Sequence, residues 1–283
     1  MIKVSVIIPV YNAESFLDRS VRSALDQAQT GEVLLIDDRS IDKSLEICKK
    51  WEKKDGRVKV FQNGGIKGAG AARNIGLKNA VCDFIAFLDA DDYYLPGRFD
   101  ETENIFNTYP NIDGVSESIS VIEDNKLNSR LIGYKYNHTK LILNIFLIKS
   151  PTYITGLVIK KIALENIGYF NEMLKQTEDS DYMIRTLFKS CIMSGILTKP
   201  VCTYVIHNTN TTTINLERNI YRRIFYKKYV FFSLYKLVDF HIFIHFLKRY
   251  LIYDFLVIFG NQYQHNKILK ALCVPIHIIR LLK

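Results

Sequence analysis

Three carboxylates stand within four residues at Asp89-Ala90-Asp91-Asp92, directly after the apolar run Phe84-Ile85-Ala86-Phe87-Leu88. Carboxylates crowded in this way repel one another unless a cation neutralises them. Mg2+ or Mn2+, which take oxygen ligands, would do so while bridging to a diphosphate. The plainer alternative is a polar turn after a strand, since Asp is common in turns. A second acidic segment, Asp37-Asp38-Arg39-Ser40, closes the run Val33-Leu34-Leu35-Ile36. A carboxylate there can accept the imide N–H of a uracil or thymine, or a ribose hydroxyl. Ser40 or Asp42 would serve equally well as the cap of a following helix. Nucleotide recognition is assigned to Asp38, and Asp37 is left open.

Gly68-Ala69-Gly70-Ala71-Ala72-Arg73-Asn74 invites comparison with the dinucleotide fingerprint, but alanine replaces the third glycine and the segment follows the third strand rather than the first. A glycine-rich entry to a helix still presents backbone N–H groups, and Arg73 in the first turn can reach a base carbonyl or a phosphate. Glu178-Asp179-Ser180-Asp181 opens another helical pattern. Acidic residues in a first turn favour the helix dipole; one of them can also serve as a general base toward an attacking hydroxyl. His207 follows a short apolar strand and is either a structural histidine or a further metal or phosphate ligand. The remaining histidines show no metal-ligand spacing, and no P-loop, GxSxG elbow or HExxH is present.

Elements that deliver these groups are readable in the first half. Val4–Val10 and Val33–Ile36 are β-branched, nearly continuous apolar runs of the kind found in parallel strands covered on both faces. Val58–Phe61 and Phe84–Leu88 supply two more strands. Helical stripes fall over Glu14–Gln27, Asp42–Lys53 and Ala71–Asn79. Strands separated by helices require right-handed parallel crossovers, so the fold class is α/β with a doubly wound, mostly parallel sheet. Its ligands are expected at the C-terminal ends of the strands. Further on, the pattern predicts a helix from Pro96 to Phe106, one strand over Val115–Glu123, irregular chain over Asn125–Thr139, a strand over Pro151–Lys161 and a helix over Glu178–Leu187.

The chain has 283 residues, 48% hydrophobic and 24% charged, an ordinary globular composition. Five cysteines without CxxC spacing indicate reduced thiols rather than a disulfide framework or a zinc site. Met1-Ile2-Lys3-Val4 runs straight into a strand, so no secretory signal is expected. The net charge of +9 is concentrated beyond residue 216, where 12 Lys and Arg face 3 Asp and Glu and where 15 of the 35 aromatic residues lie.

Taken in order, Val4-Ser5-Val6-Ile7-Ile8-Pro9-Val10-Tyr11-Asn12, Leu35 to Asp42, Gly70 to Gly76, Phe87 to Asp92, Gly168-Tyr169-Phe170-Asn171-Glu172 and Glu178 to Tyr182 with Arg185 resemble family-2 glycosyltransferases of the GT-A fold. The resemblance covers roughly residues 1–210. It implies an inverting enzyme that moves a sugar from a nucleotide-diphosphate donor, by default a UDP-hexose, to a hydroxyl of a glycan acceptor. By position, Pro9, Val10 and Tyr11 would line the base pocket, Asp38 would contact the base and Arg73 would assist it. Asp89 would hold ribose or sugar hydroxyls. Asp91, with Asp89, would hold Mg2+ or Mn2+ as the DxD motif, with His207 as a further ligand. Asp179 would be the general base with Glu178 beside it, burial or Glu178 raising its pKa. Two departures stand out: Arg39 occupies a place where a small residue is commoner, and His207 lacks the usual preceding basic residue.

These readings divide the chain into a catalytic domain, 1–216, with a nucleotide-binding half (1–110) and an acceptor half (111–216), and a basic aromatic helical extension, 217–283. Tyr229 to Leu247 is long enough to span a bilayer, but Lys236, Asp239, His241 and His245 interrupt it. The extension is read instead as peripheral contact with an anionic membrane, against the alternative of aromatics packing on the body or on a second subunit. That places the protein in the cytoplasm at the inner face of the cell membrane, acting on a lipid-linked precursor of a bacterial surface glycan. Competing readings are a sugar nucleotidyltransferase, which would carry a glycine- and lysine-rich loop after the first strand where Pro9-Val10-Tyr11-Asn12 stands, and an inactive binding scaffold. A nucleic-acid role has no recognition motif.

Overall fold

The computed structural model describes residues 1–123, 126–132, 153–195, 198–206, 216–235, 247, 249–252 and 254. The chain divides into two compact units, Met1–Asn210 and Thr211–Lys283. In the first unit the order is β1 (Val4–Val10), α1 (Leu17–Leu25), β2 (Thr30–Asp37), α2 (Ser44–Lys54), β3 (Val58–Gln62), α3 (Ala69–Asn79), β4 (Phe84–Phe87), β5 (Tyr93–Tyr94) and α4 (Asp100–Thr108). Then follow β6 (Gly114–Ser116), β7 (Ile119–Glu123), β8 (Lys126–Ile132), β9 (Leu157–Lys160), the short α5 (Leu164–Ile167), α6 (Glu178–Lys189), β10 (Ile192–Ser194) and β11 (Cys202–Ile206).

A seven-stranded sheet in the order β10-β6-β9-β4-β1-β2-β3 forms the centre, and only β9 among these strands runs against the others. The alternation of β1 explains the two layers. Val4, Val6, Ile8 and Val10 join a core with Leu17, Val21 and Ala24 of α1 and Cys48 and Trp51 of α2. Ile7 faces the other side, with Leu34, Ile36, Ala72 and Leu77, and with Tyr182 and Leu187 of α6. Each fully buried large apolar side chain contributes about 1.5–3 kcal/mol. The α/β class and its doubly wound, mostly parallel sheet are therefore as expected. On α3, a Cβ at Gly76 would collide with Ile7, so glycine there lets the helix lie close on β1.

Four expectations need correction. The Pro96–Phe106 helix is α4, beginning at Asp100; Gly97 has φ +75, a left-handed turn that a helix cannot pass through. The single strand over Val115–Glu123 is two strands in two sheets, because β7 pairs with β11 and β8 in a four-stranded sheet ordered β5-β11-β7-β8. The break falls at Glu117, whose buried carboxylate meets Arg98 Nη1 at 2.6 Å and accepts from Thr102 Oγ1 at 2.5 Å. Within the stretch expected to be irregular, Lys126–Ile132 is a strand, since antiparallel pairing with β7 overrides a weak local pattern. The Pro151–Lys161 strand is confined to β9, preceded by a 3-10 turn at Ile154–Gly156; residues 151 and 152 lie outside the described residues.

In the second unit α7 spans Leu216–Tyr235. Arg223 pairs with Asp254 at 2.6 Å, and Phe225 packs on Tyr229 at 4.9 Å between ring centres. Among the described residues no helix is long and apolar enough to cross a membrane.

Candidate active site

The parallel neighbours β4, β1 and β2 point the same way and end in a stagger, β4 at Phe87 opposite Ile7 and β2 at Asp37 opposite Val10. Their C-terminal ends therefore place Asp89, Tyr11 and Asp38 along one edge of the sheet. Two interstrand spacings of about 4.8 Å put β4 and β2 roughly 10 Å apart across the sheet.

At the β2 end, Asp38 is buried and its N–H donates to the Val10 carbonyl at 2.7 Å. Its carboxylate accepts from Asn63 Nδ2 at 2.6 Å and from the Gly68 N–H at 2.8 Å. These bonds fasten the 63–68 loop to the strand end and fix the entry of α3. Each carboxylate oxygen has two lone pairs, so beyond these two bonds Asp38 keeps capacity for up to two more donors. Arg39 adopts φ +64, a conformation that disfavours any residue with a Cβ by about 1–2 kcal/mol. Its guanidinium donates to the Gly65 carbonyl, closing the same loop from outside. The Tyr11 ring is exposed, and the Lys67 ammonium lies 3.7 Å from its centre.

At the β4 end, helix α1 holds the acidic loop by its carbonyls. Ser20 Oγ donates to the Asp89 carbonyl at 3.2 Å and Arg19 Nη2 to that of Asp91 at 2.8 Å. The Asp89 carboxylate, 29% exposed, meets Arg73 Nη2 at 2.6 Å. Asp91 is half-buried. Asp92 is fully buried; Oδ1 accepts from the Val205 N–H at 3.0 Å, and Oδ2 has no partner among the described residues. Burial pushes the Asp92 carboxyl well up, and Asp91 and then Asp89 push it further.

Arg73, itself buried, joins the two halves. Its Nη1 lies 3.2 Å from Glu178 Oε1 at the start of α6, while Nη2 holds Asp89. Burial opposes its charge, yet Asp89 and then Glu178 overcome that cost, and the net shift is upward. Burial first, and Asp179 second, push Glu178 up to about 8 against the pull of Arg73. Asp179 is raised as well, chiefly by burial, with Arg73 opposing and Asp89 adding to the rise. The expected upward shift of Asp179 thus comes from burial, and the mutual repulsion of the pair falls on Glu178. Asp179 keeps part of its surface open, and its Oδ1 accepts from the Ser180 N–H at 2.6 Å.

The structure thus brings Arg73, Asp89, Glu178 and Asp179 together and sets Pro9, Val10, Tyr11 and Asp38 further along the same edge. Arg73 was read toward the base; both of its terminal nitrogens are committed to carboxylates instead. His207 lies outside the described residues, as β11 ends at Ile206. Sequence reading missed Asn63, Lys67, Ser20 and Arg19, which act through contacts distant in the chain. It also missed Gln176 Oε1 and Thr177 Oγ1, which with Glu178 Oε2 are buried at the head of α6 without partners among the described residues. They can meet hydroxyl groups of a ligand.

The acidic loop offers oxygen donors alone, which suits a hard divalent cation. Burial is the main cause of the rise at Asp92, but Asp91 and Asp89 add to it, and that neighbouring negative charge is what such a cation relieves. Among the described residues no three His, Cys, Asp or Glu side chains converge as a ready-made cage. Mg2+ is commonly held by one or two carboxylates plus substrate phosphates, so the donor set fits a cation that arrives with a diphosphate.

A family model described as glycosyl transferase family 2 matches residues 5–168. The chain is 36% identical over 187 residues to the minor teichoic acid biosynthesis protein GgaB of Bacillus subtilis, covering 62% of this chain and 20% of that one. It is 40% identical over 115 residues to a UDP-Glc:alpha-D-GlcNAc-diphosphoundecaprenol beta-1,3-glucosyltransferase, WfaP, of Escherichia coli, covering 38% and 45%. The crystal structure of S. aureus TarS 1–349 in complex with UDP-GlcNAc superposes with a TM-score of 0.65 at 21% identity, over 94% of this chain and 76% of that one, a likeness of fold. The chain spans between a fifth and three fifths of the length of the curated relatives it matches.

Proposed function

The chain belongs to glycosyl transferase family 2, and from that membership we propose that it moves a sugar, with inversion, from a UDP-hexose to a hydroxyl of a lipid-linked precursor of a bacterial surface glycan. One observation carries the reading: a single guanidinium, that of Arg73, links the strand-end carboxylate Asp89 to the helix-end carboxylate Glu178, with Asp179 beside them. The names of GgaB and WfaP and the UDP-GlcNAc bound to TarS support the choice of donor and the kind of acceptor.

In this reading Asp38, held in place by Asn63 and the Gly68 N–H, meets the base end of the donor, with Pro9, Val10 and Tyr11 lining it. The gap across the sheet from β2 to β4, roughly 10 Å by interstrand spacing, suits a ligand as long as a nucleoside diphosphate. Asp89 takes sugar or ribose hydroxyls on its free oxygen while Arg73 fixes the other. Asp91, with Asp89, would hold Mg2+ or Mn2+, and the bound cation would neutralise charge on the diphosphate leaving group. Asp179 accepts the proton of the acceptor hydroxyl; its raised pKa makes it a stronger base than an exposed aspartate. Glu178 keeps Arg73 in place. The basic, aromatic segment 217–283 supports contact with anionic lipid, where the acceptor is presented.

The test is turnover by the purified chain with Mg2+ or Mn2+ across UDP-, GDP- and TDP-sugars, with the anomeric configuration of the product read by NMR. Asp91→Ala and Asp179→Asn should each lower turnover by about 10²-fold or more. Full activity in either variant removes the role given to that residue, and a product of retained configuration removes the single displacement.

A further inference from the structure

Asn74 follows Arg73 on α3 and is buried. Its amide behaves as a strand edge would. Nδ2 donates to the Phe170 carbonyl at 3.0 Å, Oδ1 accepts from the Phe170 N–H at 2.8 Å, and Nδ2 also donates to Glu172 Oε1 at 2.8 Å. The residue so gripped is a hub. The Phe170 ring stacks on Tyr182 of α6 with centres 4.0 Å apart and 8° between planes, and meets Phe87 of β4 edge-on at 5.6 Å. The Arg73 guanidinium lies 5.5 Å from its centre. Phe170 therefore touches β4, α3 and α6, the elements that lead to Asp89 and carry Arg73 and Glu178. From the other side Arg185 donates to the carbonyls of Ile167 at 2.6 Å and Tyr169 at 2.8 Å, its Nε on Asp181 at 2.8 Å. Residues 167–172 are thus a strut clamped between α3 and α6.

We propose that Asn74 is a positioning residue for sugar transfer: by fixing Phe170 it sets the approach of Arg73 to the α6 carboxylates. The proposal rests on the glycosyltransferase reading above. The Arg73–Glu178 contact is long at 3.2 Å, so a small retreat of α6 breaks it, whereas the base end at Asp38 is fastened by a different loop and does not feel the strut. Losing Asn74 should then spare donor binding and lower the chemical step.

The experiment uses the full chain with Mn2+ and the UDP-sugar that wild type consumes fastest. It measures donor Kd by calorimetry, kcat at a temperature well below each variant's Tm, and the Tm itself. A displacement of about 1 Å costs roughly 10²-fold in rate, so N74A and N74D should lose about that in kcat with Kd within about twofold. In N74D the second carboxylate oxygen faces Glu172, and adding E172Q replaces that repulsion by an amide donor. The N74D/E172Q chain should recover about tenfold over N74D. The proposal is overturned if kcat of the single variants stays within about threefold of wild type, or if Kd and kcat fall together in proportion to lost Tm. A wild-type chain that neither binds nor consumes any nucleotide sugar overturns the transferase reading itself.

Discussion

Gly70→Ala separates the placement of the α6 carboxylates from the stability of the fold. Gly70 sits in the first turn of α3, where the head of α6 crosses it. A Cβ built there would stand 3.1 Å from Glu178 Cγ, 3.3 Å from Glu178 Cβ and 3.4 Å from Phe170 Cβ. Glu178 must then give by a few tenths of an ångström, and the 3.2 Å bond to Arg73 lengthens with it. In a helix, alanine is favoured over glycine by roughly 0.5–1 kcal/mol, so the substitution stabilises α3 while disturbing the site. If about 1 Å of misplacement costs 10²-fold, a few tenths should cost roughly 3- to 10-fold in kcat. Melting followed by circular dichroism should show a Tm equal to or above wild type, and steady-state turnover at saturating donor should show the lower kcat. An unchanged kcat with a raised Tm would refute the reasoning, because the carboxylate would then tolerate displacement without consequence.

Three further outcomes follow from the same structure. Glu178 is raised to about 8 from an unfolded value near 4.5, so the native state holds more protons than the unfolded chain between those values. Its contribution to stability is full below about pH 4.5 and lost as pH rises through about 8; Glu178→Gln should flatten the fall of Tm over that window, and an unaltered slope would count against the shift. Glu117→Ala strands the fully buried Arg98 charge and should cost about 3–5 kcal/mol in urea unfolding, whereas a loss under about 1 kcal/mol would mean that the pair is dispensable. The full chain should bind vesicles rich in phosphatidylserine. Loss of two exposed cations in Lys227→Gln/Lys228→Gln should weaken binding by about 2 kcal/mol, roughly 30-fold, in a sedimentation assay; equal binding would remove the membrane role of α7.

The strands that end at the site were legible because strands covered on both faces read as unbroken apolar runs, as β1, β2 and β4 do. Reading failed where a single tertiary contact decides the path. Nothing local marks Glu117 as the corner between two sheets; its burial against Arg98 does. The charged groups were legible for a similar reason, standing at strand ends and at a helix head where sequence pattern has a fixed meaning. What supports them was not. Asn74 and Phe170 are separated by 96 residues and Ser20 and Asp89 by 69, and each bond joins a side chain to a backbone group, which leaves no periodicity to find. Asp38 shows both cases: its place was readable, but its grip on Asn63 and Gly68 was not.

The double engagement of Arg73 governs how substitutions in this site are to be read. A buried guanidinium is tolerated because Asp89 first, and Glu178 where it is ionised, offset the cost of its burial. Removing either carboxylate as alanine withdraws a chemical group and also leaves Arg73 poorly compensated, a change of several kcal/mol in a buried pair. A loss of activity in Glu178→Ala therefore says little about catalysis. Glu178→Gln keeps an oxygen for Arg73 Nη1 and removes only the ionisable function, and Asp179→Asn does the same beside it. If the two carboxyls have the division of labour derived above, Glu178→Gln should retain far more turnover than Asp179→Asn, even though Glu178 makes the shorter list of contacts with solvent and the direct contact with Arg73. The reverse order would move the proton-accepting role to Glu178 and leave Asp179 as its charged neighbour, a change of assignment that the shared arginine makes structurally reasonable.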